Sequence, residues 1–578
     1  MIGKVAAAGV SLILVVGVVI GVIVGVGHFS HKDGNAANEA SHMSTGMKAV
    51  TTICAPTDFK DACIRSLTPL ANNGTTEPKA LVKGAIQVVA EEVQKAVAQA
   101  VALANDDKII NNNATLKGAL ENCKWYLQYA IKDLEDSVSM LAENEIHTIN
   151  DLSPELKNWL SAVISLKESC LDNLDHPELK NTMMNGLINT TQLTVNALAI
   201  VDEIAEILKT FNIPLNFTVA SNSRKLLGAA ETTTDDEGYP TWFSAADRKL
   251  LAVHSNGGVK PNVVVAKDGS GQFKTIGAAL AAYPKNNPKK TRYVIYVKAG
   301  IYNEWVTVTE NMHNVFMYGD GPTKTIVTGR RNNALDGIGT DMTATFSANG
   351  PDFVCKSMGF QNTAGPEGHQ AVALRVNSDR SAFFNCRIDA YQDTLYAQTH
   401  RQFYRNCIIS GTIDFIFGDS TTLIQNSRII VRKPMDNQIN AVTAHGRSQA
   451  RSSTGLVIQN CEIVPERQLF PVRFKIPSYL GRPWKEYSRT IFMENGIGDL
   501  IHPDGWYPWK GDFALNTLYY AEYANRGPGA NTRRRVKWKG YHVITNRNEA
   551  LKFTLAAFVR APRWLKYTGV PFLPGLVH

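Results

Sequence analysis

A chain of 578 residues with 44% hydrophobic and 19% charged residues is too long for one ordinary core, so at least two globular domains are expected. The net charge of +8 conceals two unlike halves: residues 252–578 hold 40 Lys and Arg against 23 Asp and Glu, net +17, while residues 1–251 carry net −9. A strongly basic exported domain calls for a polyanionic partner such as an acidic polysaccharide, and no nucleic acid is expected.

No charge occurs from Val5 to Gly27. Twenty-three apolar or small residues at about 1.5 Å each would span roughly 34 Å, enough to cross a bilayer, so residues 1–48 read as a signal-anchor, with a cleaved signal segment as the alternative, followed by a polar stalk. Lys4 would stay cytosolic and the remainder would enter the lumen. Export agrees with four Asn-x-Thr sequons, at Asn73, Asn113, Asn189 and Asn216, all in the first half.

Residues 49–219 read as helical. The stretch 85–104 lacks Gly and Pro and carries Val89, Val93, Ala96, Ala100 and Val101 near a 3.6 period. Leu120, Cys123, Leu127, Ile131, Leu134, Val138 and Leu141 mark a second helix, and a third is predicted to open with Ser153 as N-cap and Pro154 at N1. An antiparallel four-helix bundle follows. Oxidising conditions would pair Cys54 with Cys63 locally and Cys123 with Cys170 between helices, one of the three connectivities that four cysteines allow.

A Thr/Asp/Gly/Ser-rich linker, 220–257, contains one tetrapeptide pattern twice: Arg224, Lys225, Leu226, Leu227 and then Arg248, Lys249, Leu250, Leu251. An exposed dibasic duplicate between domains of opposite charge reads as a processing site for a secretory-pathway protease.

Beyond residue 258 the texture is short and β-branched. Runs ending in Asn-Cys386, Asn-Cys407, Asn-Ser427 and Asn-Cys461 recur at intervals of 21, 20 and 34, the mark of a solenoid, a right-handed parallel β-helix with one excursion and an internal Asn ladder. Asp393 and Asp414 share the 21-residue spacing, so they occupy equivalent places on adjacent rungs about 4.8 Å apart. Gln370 precedes Gln392 by 22 and adds a third rung. Two carboxylates about 5 Å apart repel by roughly 3 kcal/mol at an effective dielectric near 20, so one should keep a proton while the other ionises. Arg482 is the candidate cation for one of them, and Trp484 a flat surface for a sugar ring. On spacing alone, a structural ladder or a calcium site stands beside catalysis.

GIYNE (300–304), QAVALR (370–375), YQDTLY (391–396), GTIDFIFG (411–418), LGRPW (480–484) and TGVPF (568–572) together resemble the signature set of plant pectin methylesterases over most of residues 258–576. The helical half is similar to the pectin methylesterase inhibitor-type pro-region that precedes such enzymes. The resemblance implies hydrolysis of galacturonate methyl esters in homogalacturonan without metal or cofactor, in a protein secreted to the cell wall and open to a proteinaceous inhibitor. It also implies Asp414 as nucleophile, Asp393 as proton donor and then base, and Gln370 and Gln392 as oxyanion stabilisers. Arg482, Trp484, Thr340, Tyr396, Phe417 and Trp509 would contact substrate. One departure is that relatives bridge cysteines at the positions of Cys407 and Ser427; here Cys407 must stay free or find Cys386. A silent pectin-binding β-helix, or the lyase and polygalacturonase chemistries hosted by β-helices, are the competing functions.

Overall fold

The computed structural model describes residues 43–110, 113–213, 260–285 and 291–577. The apolar segment 5–27, the sequon at Asn216 and both dibasic tetrapeptides, 224–227 and 248–251, lie outside the described residues. Among the described residues no helix is long and apolar enough to cross a membrane.

The helical half is built on long helices that bury one stripe each. A hairpin of α1 (Thr45–Cys54) and α2 (Lys60–Asn72) leads into α3 (Pro78–Ala104), α4 (Ala114–Glu143) and α5 (Ile149–Asp172), and after a short helix, α6 (Pro177–Gly186), α7 (Ile188–Asp202) completes the bundle. Leu120, Cys123, Leu127, Leu134 and Leu141 are buried as their spacing predicts. The disulfides are Cys54–Cys63 and Cys123–Cys170, the second joining α4 to α5. One boundary differs from expectation: α5 begins at Ile149, not after Ser153, and Pro154 sits inside it. A proline this close to the start removes a single i→i−4 bond, and the 3-10 turn at Ile146–Thr148 feeds directly into the helix, so the chain continues through it.

The second half is a parallel β-helix. Among the described residues its strands form parallel sheets of eleven, seven and eight strands. The seven-stranded sheet carries the chemistry and comprises β1 (Val306–Val308), β2 (Phe346–Ala348), β3 (Leu374–Val376), β4 (Leu395–Ala397), β5 (Ile416–Gly418), β6 (Asn440–His445) and β7 (Ser478–Gly481). Leu374 pairs with Leu395 and Leu395 with Ile416, which is the 21-residue repeat written as register. The core is filled from all three sheets by Phe346, Phe353, Phe360, Phe383 and Tyr404, with Phe383 and Tyr404 stacked at 4.9 Å.

The Asn ladder is not internal, contrary to expectation. Asn385, Asn406, Asn426 and Asn460 have φ of 53°, 51°, 50° and 50° and stand half-buried at one corner, with Asn460 Nδ2 donating to Asn426 Oδ1 at 2.9 Å. Each rung turns there through the left-handed region, which Asn tolerates better than other side-chain-bearing residues. The cysteines that follow point inward instead.

Cys355, Cys386, Cys407 and Cys461 are all buried and free. The Cys386 thiol donates to the Cys355 sulfur at 3.9 Å with no disulfide between them, and Ser427 accepts a hydrogen bond from the Cys407 amide at 3.0 Å. Alkylation of the denatured chain without reductant is expected to modify these four cysteines and to spare Cys54, Cys63, Cys123 and Cys170, which label only after reduction; peptide mass mapping reads this out.

Candidate active site

The two carboxylates emerge from strained turns. Asp393 and Asp414 have φ of 63° and 51°, each just ahead of its strand, β4 or β5. Such conformations cost of order 1–3 kcal/mol and persist only where the surroundings impose them. Here the rungs impose them: the Asp393 amide donates to the Ile413 carbonyl at 3.0 Å, and the glycines bounding GTIDFIFG have no room for a side chain. A Cβ on Gly411 would overlap Phe415, and one on Gly418 would overlap the Ala397 carbonyl.

The third rung enters as the spacing predicts. Gln370 and Gln392 form a parallel bridge, 22 residues apart, whereas three to four residues later the register is 21. One extra residue between Gln370 and Leu374 therefore sets the glutamine pair off from the strand ladder. Behind the acids, Arg482, which follows β7, grips Asp414 with both arms, Nε to Oδ1 at 2.8 Å and Nη2 to Oδ2 at 2.6 Å. Its guanidinium lies 4.4 Å over the Trp509 ring, so Trp509 orients the arginine as well as facing the cleft.

Thr340, Gln370, Gln392, Asp393, Tyr396, Asp414, Phe417, Arg482, Trp484 and Trp509 all line one cleft of about 470 Å³. Its apolar floor runs along the sheet as Ala344, Val372, Tyr396, Phe417 and Ala444, with Trp484 packed against it. Tyr396 stacks on Phe417 at 4.3 Å, and Trp484 meets Phe417 edge-on at 5.9 Å. Among the described residues no group of three or more His, Cys, Asp or Glu gathers closely enough to hold a metal ion.

Electrostatics separate the acids. Burial pushes Asp393 well above the usual carboxylate range and the neighbouring Asp414 adds to it, against a smaller pull from Arg482. Burial also raises Asp414, but the hydrogen bonds and charge of Arg482 draw it back. Both acids are raised, and since Arg482 opposes the rise chiefly at Asp414, Asp393 is the member that holds its proton to higher pH.

The cleft holds more than the sequence suggested. Asp172, Asn173 and Asp175, from the end of α5 and the turn beyond it, also line it. Lys485 Nζ pairs with Asp172 at 2.6 Å and Glu168 at 3.4 Å. Tyr126 of α4 donates its hydroxyl hydrogen to Asp341 Oδ2 at 2.6 Å and accepts from Arg375 Nη2 at 3.0 Å. Farther along the same contact, His400 Nε2 meets buried Asp133 at 3.0 Å, and Arg451 holds Asp58 at 2.6 Å. The available signal was the one-helix spacing of Glu168 and Asp172, four apart at a helix end, which alone marks only an acidic face. The three described sequon asparagines, Asn73, Asn113 and Asn189, are exposed on the helical half; Asn113 also caps α4, accepting from the Leu116 amide.

Against known proteins, the description "Pectinesterase" matches residues 262–562 and "Plant invertase/pectin methylesterase inhibitor" matches residues 48–200. The chain belongs to the pectinesterase family. Among Arabidopsis thaliana relatives, "Probable pectinesterase/pectinesterase inhibitor 58" is 44% identical over 538 residues, covering 92% of this chain and 91% of its own length. "Pectinesterase 4" is 40% identical with both chains fully covered. In structure, "Pectin methylesterase from Carrot" is 51% identical with a TM-score of 0.54, covering 55% of this chain and 99% of its own. The family's two-part layout therefore coincides with the bundle and the β-helix.

Because burial raises Asp393 well above the pKa near 3.9 of an unfolded Asp, the folded state binds the extra proton and this group's contribution to stability falls as pH rises above about 4. Asp393→Asn is expected to flatten part of that decline and to raise stability at neutral pH relative to the parent. Denaturant unfolding across the acid-to-neutral range measures it; an unchanged slope would contradict the raised Asp393.

Proposed function

We infer that this chain hydrolyses the methyl esters of galacturonate in pectin, releasing methanol and leaving carboxylates, and that its helical half restrains the enzyme until the linker is cut. The observation that carries the chemistry is the acid pair on adjacent rungs with one member held by both arms of Arg482. Asp414, oriented by Arg482, attacks the ester carbonyl carbon. The side-chain amides of Gln370 and Gln392 face the developing oxyanion, where one such donor is typically worth about 10²–10³ in rate. As the tetrahedral intermediate collapses, Asp393 passes its proton to the departing methoxide, which leaves as methanol, and the acyl group stays on Asp414. Asp393, now ionised, takes a proton from water; the resulting hydroxide attacks the acyl carbon, the bond to the Asp414 oxygen breaks to regenerate its carboxylate, and the galacturonic acid released gives its proton to solvent. Tyr396, Phe417, Trp484 and Trp509 give the sugar rings apolar faces, and Thr340 borders them.

For the pro-region, support comes from the cleft itself. Asp172 and Asp175 bring carboxylates where a chain of galacturonates would run, and Lys485 pairs with Asp172 as it would with such a polymer. Release then requires severing the tether, for which the dibasic pairs Arg224-Lys225 and Arg248-Lys249 are the candidate sites. Secretion to the wall, glycosylation at Asn73, Asn113, Asn189 and Asn216, and membrane tethering through residues 5–27 before processing belong to the same reading, supported by the export features of the sequence.

Two experiments test it. With methylated pectin, Asp414→Asn and Asp393→Asn should each lose nearly all methanol release; with an activated ester whose leaving group departs unaided, Asp393→Asn should recover part of its acylation burst and Asp414→Asn none. Equal rescue of both variants would reverse the assignment. Separately, Asp172→Lys, which alters only the helical half, should raise methanol release by the uncut chain towards that of the linker-cut protein, and an uncut variant as silent as its parent would overturn the restraint.

A further inference from the structure

Trp305 lies outside every role assigned above, yet it is 51% exposed and not adrift. It immediately precedes β1, the first strand of the cleft sheet. The register Thr307, Ser347, Arg375, Tyr396, Phe417, Ala444 runs straight across that sheet from β1 to β6. Thr307 is exposed where Val306 and Val308 are buried, and Trp305, in the turn just ahead of β1, lies under Arg331, two residues before the cleft-lining Asn333. Three strand spacings, roughly 14 Å, separate its rung from that of Asp393.

The indole is held in place. Its Nε1 rests against Gly329, where an added Cβ would come within 3.2 Å, and the Arg331 guanidinium lies 4.0 Å over the ring. Among the described residues no carboxylate pairs with Arg331, and exposed Arg330 adjoins it. A planar cation stacked on an exposed aromatic, with its outer edge unclaimed, presents what one unit of a galacturonate chain needs: a flat apolar face for the ring and a fork for the carboxylate. The bundle fills the cleft at Asp172 but leaves Trp305 open.

We propose that Trp305 and Arg331 form an outlying subsite of the cleft that binds a de-esterified galacturonate unit of the polymer whose methyl ester lies at Asp414. It rests on the reading of the chain as a pectin methylesterase and deepens it: the enzyme would engage chains already carrying free carboxylates better than fully esterified ones, at a point several sugar units from the reacting ester.

Affinity electrophoresis of the full-length chain in gels containing polygalacturonate, beside gels of its fully methyl-esterified counterpart, decides it without relying on catalysis. Trp305→Ala and Arg331→Gln should each bind polygalacturonate about threefold to fivefold more weakly, with little change on the esterified polymer. Arg331→Lys, which keeps the charge without the fork, should fall between, and Arg534→Gln, which removes one charge from the exposed pair Arg533 and Arg534, should match the parent. Circular dichroism checks that each variant is folded. Parental binding by both Trp305→Ala and Arg331→Gln, equal losses on both polymers, or an equal loss in Arg534→Gln would overturn the subsite. Absence of methanol release by the linker-cut parent would instead overturn the functional reading, so the two failures are distinguishable.

Discussion

Stacking of parallel rungs at a spacing near 4.8 Å is the constraint on which the chemistry depends. In a β-helix a residue repeated at the rung period is delivered to the same azimuth one layer up, so two aspartates 21 residues apart become neighbours without any loop having to fold back on itself. The same stacking crowds the backbone. Gly411 and Gly418 are glycines because adjacent rungs leave no volume for a Cβ, and Asp393 and Asp414 accept left-handed turns because the ladder on either side dictates them. Conformational strain at the acids is thus held by many ordinary strand hydrogen bonds, and the side chains it aims are correspondingly well fixed.

Closeness of two buried carboxylates would be unfavourable if both were charged, and the fold resolves this by asymmetry. Arg482 reaches one acid only, with two hydrogen bonds in a fork, and the other is left to burial and to the field of its neighbour. Two acids of unlike proton affinity result from identical residue types. Trp509 has a part in this difference, since its ring lies under the guanidinium that makes it. Replacing Arg482 by Lys would keep the charge and lose the fork, and with it the orientation of Asp414.

The opposite charges of the two halves find their expression at the contact between them. Lys485 with Asp172, Arg401 with Glu155 and Arg451 with Asp58 each place a cation of the β-helix on an acid of the bundle, and the His400 ring meets Asp133 beside them. Of these, Arg401, His400 and Asp133 are buried, so their pairing is screened little by salt, while Arg451 and Asp58 are partly exposed and contribute less. Tyr126 ties the two halves together by a different route, bridging an acid and a cation that both belong to the β-helix.

Much of this was legible in the sequence, because a solenoid writes its tertiary neighbours as a one-dimensional period. The rung spacing, the acid pair and the glutamine rung could be read from intervals, the bundle disulfides from compartment and helix pattern, and Arg482 and Trp484 from the LGRPW segment; the family resemblance then supplied Thr340, Tyr396, Phe417 and Trp509. What could not be read was anything depending on contact between distant, non-periodic segments. The bundle residues Tyr126, Asp172 and Asp175 carry no periodic signal that points to the cleft, and only docking of the helices onto the sheet brings them there. The Asn repeat was visible but its direction was not, because a period gives equivalence between rungs and not which side of the wall a residue occupies; backbone handedness at that corner turned the asparagines outward and the thiols inward. The place of Trp305 likewise depends on the turn that sets it under Arg331 and on the register that carries β1 into the cleft sheet, which only the assembled rungs define.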